Sequence, residues 1–246
     1  MKRRWIAGLL LCLLALPPMA ARAESAFPMA AVGVLSARAE GGCSAALIAP
    51  DVVLTAAHCV DARGKPGGLT FRTGAYPGLP RISVPVAATA FHPLYDLNLP
   101  REITRIRFDL ALVRLAHPID TPGIVPLRLG PAPEVGERLI LASYRGGRGE
   151  RARERRCEIF AGPPDVAALG CEVASGESGS PVLRLSPQGP EIAAVLSSRS
   201  RFDQQPIGFA PPVLRRIGPV MDLLPEAAEV TPAGEGAPAT EIVADP

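Results

Sequence analysis

The sequence predicts an all-β fold built of short strands, a barrel or a sandwich, and three observations predict it. There are 28 prolines and 24 glycines in 246 residues, too many breakers for a protein of long helices. Hydrophobic residues make up 48% and charged residues 20%, so the chain can bury a core. Short apolar runs alternate with turn signals at a spacing of roughly 8–12 residues, the pattern of barrels and sandwiches. Periodicity does not choose between the two.

The elements follow in chain order. Lys2-Arg3-Arg4, the apolar run Leu9 to Leu16 and Ala21-Arg22-Ala23 are the three parts of a secretory signal peptide over 1–23, with cleavage expected after Ala23. The apolar run is too short to span a bilayer and Pro17-Pro18 ends it, so stable membrane anchoring is not expected. Strands are expected at 29–35, 44–48, 52–56, 69–73, 82–90 and 110–115, and again at 138–143, 158–160, 168–173, 181–185, 192–197 and 207–210. This gives a first β half over 24–118 and a second over 134–211. The Pro-rich stretch 119–133 reads as the connector between them. Apolar positions Val213, Leu214, Ile217, Val220, Met221 and Leu224 fit one helical face over 212–224, with Pro219 interrupting it. Residues 225–246, with five acids and no base from Glu226 onward, read as a flexible acidic tail. Six arginines between 145 and 156 read as a solvated surface loop.

Charge and cysteine usage narrow the class. The formal charge is +2, and without leader and tail the body carries 22 bases against 19 acids, which is not the footprint of a nucleic-acid binder. Cys12 leaves with the leader. Cys43, Cys59, Cys157 and Cys171 remain, an even count that in an exported chain suggests two disulfides. Three connectivities are possible; pairing Cys43 with Cys59 and Cys157 with Cys171 is preferred, because it closes short loops within each half. Zinc-ligand spacings are absent, so no metal is expected.

Three segments carry the chemistry: Leu54-Thr55-Ala56-Ala57-His58-Cys59, Phe108-Asp109-Leu110-Ala111-Leu112 and Gly176-Glu177-Ser178-Gly179-Ser180-Pro181. A serine hydroxyl is a weak nucleophile and needs a base within reach, which in turn needs an orienter. Histidine suits the base, and a carboxylate on its second ring nitrogen sets the tautomer. The oxyanion of an acyl-transfer intermediate needs preorganised N–H donors, and a glycine two before the serine lets the backbone turn to present them. His58, Asp109, Ser178 and Gly176 form such a set. The order His, Asp, Ser excludes the α/β-hydrolase arrangement, in which serine comes first and histidine last.

These motifs resemble those of the chymotrypsin/trypsin-like serine endopeptidases, in a bacterial, exported branch. Thr55–Cys59 looks like the family's T-A-A-H-C motif, Asp109–Leu112 like D-[IL]-A-L, and Gly176–Pro181 is similar to G-D-S-G-G-P with Glu177 and Ser180 as the two changes. Gly42–Ile48 looks like the strand before the histidine, with Cys43 where the family bridges to Cys59. The resemblance implies two six-stranded antiparallel β-barrels with a catalytic triad in the cleft between them and a C-terminal helix. It implies His58 as general base, Asp109 as its orienter, Ser178 as nucleophile, and the N–H groups of Gly176 and Ser178 as the oxyanion hole. Ser197 looks like the family's serine on the substrate-pairing strand, and Gly208 matches the glycine lining the specificity pocket.

Two departures bear on regulation and specificity. Glu177 replaces the aspartate that in animal members receives a freshly cut N-terminal ammonium, and no basic residue followed by Ile-Val-Gly-Gly exists here. Activity as exported is therefore one expectation, and an oxyanion loop that waits for a partner or substrate is the other. Six residues before Ser178 stands Glu172, where trypsin-like members carry the acid that selects Arg or Lys. Arg199, near the expected pocket wall, points instead to an acidic side chain, so a basic side chain on one hand and a small or acidic one on the other stay open. The expected function is thus hydrolysis of protein or peptide substrates by an exported monomer, in the periplasm or medium, without cofactor. The alternative is a catalytically silent binding protein of the same fold with a collapsed oxyanion hole.

Overall fold

The computed structural model describes residues 29–226 apart from 38–40, 62–67, 75, 77, 101–102 and 148–151. The expected signal peptide, the tail beyond 226, and Arg148 and Arg151 lie outside the described residues. The first half contains β1 (Val32–Ser36), β2 (Cys43–Ala49), β3 (Val52–Thr55), the one-turn helix α1 (Ala57–Asp61), β4 (Thr70–Thr73), β5 (Ile82–Phe91), α2 (Ile103–Ile106) and β6 (Ala111–Leu115). The strands close into a six-stranded barrel in the order β1-β2-β3-β6-β5-β4, with β4 returning to β1. Every ladder is antiparallel, from Val34↔Ser44 between β1 and β2 to Leu54↔Leu112 between β3 and β6.

Strand character follows from side-chain alternation. In β5, Val84, Val86 and Ala90 point into the barrel while Ser83, Pro85 and Ala87 face out. In β6 every residue but Arg114 is buried, so it reads as a continuous apolar run rather than an alternating one. Leu35, Leu47, Leu54, Phe71, Leu112 and Leu115 fill the interior.

The second half contains β7 (Arg128–Leu129), β8 (Arg138–Ser143), β9 (Arg153–Phe160), β10 (Ala167–Gly170), β11 (Pro181–Ser186), β12 (Gly189–Val195), β13 (Ser198–Phe202), β14 (Gln205–Ala210) and α3 (Ile217–Leu223). They form an eight-stranded sheet in the order β13-β14-β10-β9-β8-β11-β12-β7, two strands more than expected. One addition, β7, comes from the stretch read as connector. It pairs parallel to β12, and Arg128 Nη2 contacts Glu191 Oε1 at 2.5 Å across the pair. The other, β13, has the polar sequence Ser-Arg-Ser-Arg-Phe with only Ser198 buried, so it carries no apolar signal. It is held by its ladder to β14, and Asp203 and Gln204 make the hairpin turn with φ of 46° and 63°.

Two further differences have physical causes. The Arg-rich stretch is not all loop: β9 begins at Arg153 and pairs with β8 from Ser143↔Arg153 to Arg138↔Glu158. Helix α3 begins at Ile217, five residues later than the apolar pattern suggests, which puts Pro219 in its first turn. A missing N–H costs nothing there. Ile217, Val220 and Leu224 are buried, and α3 packs on β5 and β6, tying the helix after the second sheet to the first barrel.

Disulfides join Cys43 to Cys59 and Cys157 to Cys171, the preferred pairing. The first ties β2 to α1 across 16 residues. A loop of about that length gives roughly 3 kcal/mol of stabilisation by restricting the unfolded chain. Replacing both Cys43 and Cys59 by alanine should lower thermal stability by about that amount, read as a fall in Tm of roughly 6–12 °C by calorimetry.

Candidate active site

His58 sits on α1, directly after the end of β3, and Asp109 directly before β6. Because β3 and β6 are neighbours in the barrel, the two segments emerge side by side. His58 Nδ1 lies 2.7 Å from Asp109 Oδ2, and the His58 backbone N–H donates to Asp109 Oδ1 at 2.9 Å. Ser197, at the corner between β12 and β13, donates its hydroxyl to Asp109 Oδ2 at 2.5 Å. Asp109 is buried, and its lone pairs are met by donors from both halves of the molecule. A carboxylate only accepts, so an Nδ1 proton faces Asp109, and in the neutral imidazole the free lone pair is that of Nε2.

Ser178 comes from the second half, on the loop leading into β11. It lines one cavity of about 310 Å³ together with His58, Gly176, Ser197, Ser198 and Arg199. Among the described residues, no hydrogen bond joins the Ser178 hydroxyl to His58; such bonds are often long before substrate binds. The loop around Ser178 is pinned to the first barrel through Ser44. The Ser44 N–H donates to the carbonyls of Gly176 and Ser178, at 3.0 and 2.8 Å, and its hydroxyl donates to the Gly176 carbonyl at 3.0 Å. The Tyr144 N–H, from the second half, donates to the same hydroxyl at 2.9 Å.

Glycine is required twice in this loop. Gly176 has a φ of +85°, and Gly179 a φ of +80°. A Cβ at Gly179 would stand 2.2 Å from the Ser44 carbonyl oxygen and from Thr55 Oγ1. With this backbone, the N–H groups of Glu177, Gly179 and Ser180 donate to Ala174, Leu196 and Glu177 carbonyls. Among the described residues, the N–H groups of Gly176 and Ser178 make no hydrogen bond within the protein. Two free donors beside the serine hydroxyl are the arrangement that can hold a developing oxyanion.

Glu177 is completely buried and takes four hydrogen bonds. Ser143 Oγ donates to Oε1 at 2.9 Å, and the Ala174 N–H donates to Oε2 at 2.7 Å. Arg155 bridges both oxygens, with Nη2 at 3.1 Å from Oε1 and Nη1 at 3.4 Å from Oε2. Burial pushes the carboxyl upward. The Arg155 guanidinium, the Ala174 N–H and the Ser143 hydroxyl together outweigh it and hold Glu177 below the usual glutamate range. Arg155 belongs to β9, so the counter-ion of this buried acid is a strand side chain.

Of the residues read from sequence, His58, Asp109, Ser178, Gly176, Ser197 and Arg199 meet at or beside this cavity. Glu172 does not line it. It lies in a neighbouring cavity of about 520 Å³, and its carboxylate meets Arg145 Nη2 at 2.6 Å. Gly208 lies beneath Val173 and Leu196. Ser44, Ser143 and Arg155 were not singled out from sequence. The one available signal was in β9: counting back by twos from the buried Cys157 and Ile159 puts Arg155 on the inner face. Cys43, His58 and Cys59 cluster within 4.8 Å, but the two sulfurs are bonded to each other and offer no thiolate to a metal.

Residues 43–188 match the trypsin-like peptidase domain. The match covers more than half of the sequence, and the chain belongs to that family of peptide hydrolases. Among solved structures it is similar to neuropsin, a serine protease expressed in the limbic system of mouse brain. The identity is 19% over 79% of this chain and 94% of that one, with a TM-score of 0.61, a likeness of fold. The two disulfides fit an oxidising compartment, and no helix among the described residues is long and apolar enough to cross a membrane.

The lowered Glu177 has a pH signature. A carboxyl with a depressed folded pKa contributes stability above the unfolded value, about 4.3, and loses it as pH falls through the folded value. The Tm of the wild type should therefore exceed that of Glu177→Gln at neutral pH, and the gap should close only below about pH 4.3. Arg155→Leu should cost about 3 kcal/mol, the low end for breaking a buried pair, because the Arg155 side chain is 26% exposed.

Proposed function

We propose that the protein is an exported serine endopeptidase of a bacterial branch of this family, working through an acyl-enzyme. His58 takes the proton of Ser178 as Oγ attacks the scissile carbonyl, Asp109 holds the imidazole and stabilises the imidazolium, and His58 returns the proton to the leaving amine. The N–H groups of Gly176 and Ser178 receive the oxyanion. The observation that carries this reading is the pair of unoccupied N–H donors beside Ser178, in the same cavity as the Asp109-oriented imidazole.

The same observation weighs against the silent binding protein. A collapsed oxyanion hole would turn one of these donors inward, and neither is spent on the protein among the described residues. The buried Arg155–Glu177 pair supports activity without N-terminal processing, since the loop already has its internal cation. No cofactor enters this mechanism, and the substrate is a protein or peptide.

A fluorophosphonate probe, followed by mass-spectrometric mapping, tests the reading. The purified protein, without prior proteolysis, should be labelled at Ser178, and His58→Ala should abolish labelling. Asp109→Asn should slow peptide hydrolysis on the order of 10⁴-fold through the wrong tautomer. A well-folded protein that takes no label would sink the proposal.

A further inference from the structure

Specificity at this site follows from three features of the walls beside Ser178. The first is a charge that is absent. Glu172, the residue that would attract a basic side chain, does not line the cavity of Ser178; its carboxylate faces Arg145, and its carbonyl accepts from Arg155. The second is a filled floor. A Cβ at Gly208 would come within 2.9 Å of Val173 Cγ2 and 3.0 Å of Leu196 Cδ1, so these two side chains already pack onto the glycine. Leu196 is fully buried, and a long Lys or Arg side chain reaching for the floor would have to displace it.

The third is a charge that is present. The lining of the 310 Å³ cavity contains no carboxylate, and one guanidinium, that of Arg199. Arg199 is exposed on β13, opposite Gly208 in the ladder to β14, and makes no ion pair among the described residues. Ser198, next to it, also lines the cavity. Its hydroxyl is buried without a hydrogen-bond partner among the described residues, so a rotation about χ1 makes a donor available.

We infer that this subsite selects a short acidic side chain on the acyl side of the scissile bond, aspartate ahead of glutamate, with Arg199 as its counter-ion. The inference rests on the serine-peptidase reading and adds the substrate class to it. A shallow site rejects long side chains by volume, and a lone guanidinium at its wall rewards a carboxylate that reaches it. Leaving Arg199 unpaired in the acyl-enzyme of a neutral substrate forgoes a charge-assisted hydrogen bond.

The test is a set of fluorogenic peptides identical except at that position, carrying Asp, Glu, Ala, Leu or Arg, with fluorophosphonate labelling of the same preparation read in parallel. The Asp peptide should be cleaved about 10- to 100-fold better than the Ala peptide by kcat/KM, the worth of a hydrogen bond to a charged group, with Glu between them. Arg199→Glu should lower the Asp-to-Ala ratio by at least that factor, and Arg199→Lys should restore part of it. A labelled enzyme that prefers Arg or Leu, or an Asp-to-Ala ratio unmoved by Arg199→Glu, would overturn the inference and leave the serine-peptidase reading standing. An unlabelled protein would overturn both. Should Arg199→Glu fail to fold, the wild-type ranking decides alone.

Discussion

The buried ion pair between Glu177 and Arg155 is the constraint on which the rest of the site depends. A carboxylate with no solvent exposure, one residue before the serine, is tolerable only if its charge is met and its lone pairs are filled. Arg155, Ser143 and the Ala174 N–H fill them. Their positions on β9, at the end of β8 and in the loop itself fix where Glu177 must lie. Once Glu177 is placed, the backbone on either side of it is placed too. The adjacent N–H groups of Gly176 and Ser178, two residues that line the cavity, are left without a hydrogen bond among the described residues.

A second node joins the halves of the molecule. Asp109 stands at the mouth of the first barrel and accepts from His58 on one side and from Ser197 of the second half on the other. Ser44, on β2, does the same in the opposite direction: its N–H and hydroxyl hold the carbonyls of Gly176 and Ser178, and Tyr144 of the second half donates to it. The cleft is thus spanned by hydrogen bonds that cross between the β halves at both ends of the reacting set. Position along the cleft is a matter of these few polar contacts. The apolar cores on either side supply the rigidity that makes them accurate to a fraction of an ångström.

Charge around the cleft is arranged by pairing rather than by composition. Arg145 and Arg155 both come from the arginine-rich stretch, and each has an acid to answer: Glu172 at the surface and Glu177 in the interior. The surface pair, exposed on both sides, adds little to stability. Its consequence is one of placement, because it engages the Glu172 carboxylate outside the cavity that Ser178 lines. A stretch that reads as a solvated loop supplies the cation of the oxyanion loop.

By itself the sequence determined the kind of fold, and it named the residues proposed to carry the chemistry. His58, Asp109 and Ser178 stand in motifs whose neighbours are dictated by local needs: a glycine where φ is positive, a cysteine beside the histidine, an apolar strand after the aspartate. Local needs leave local traces. Strands with an apolar face were legible for the same reason, since burial on one side of a pleat imposes a period. What only the tertiary structure decided are the partners of charged groups and the strands without an apolar face. Arg155 finds Glu177 across 22 residues, and Arg145 finds Glu172 across 27. Nothing in the residues between records either meeting, because a long-range ion pair is selected by where two backbones pass each other and not by spacing along one. The polar strand β13 and the two-residue β7 exist because neighbouring edges offered unpaired backbone groups to bond, and a backbone hydrogen bond is blind to the side chain that accompanies it.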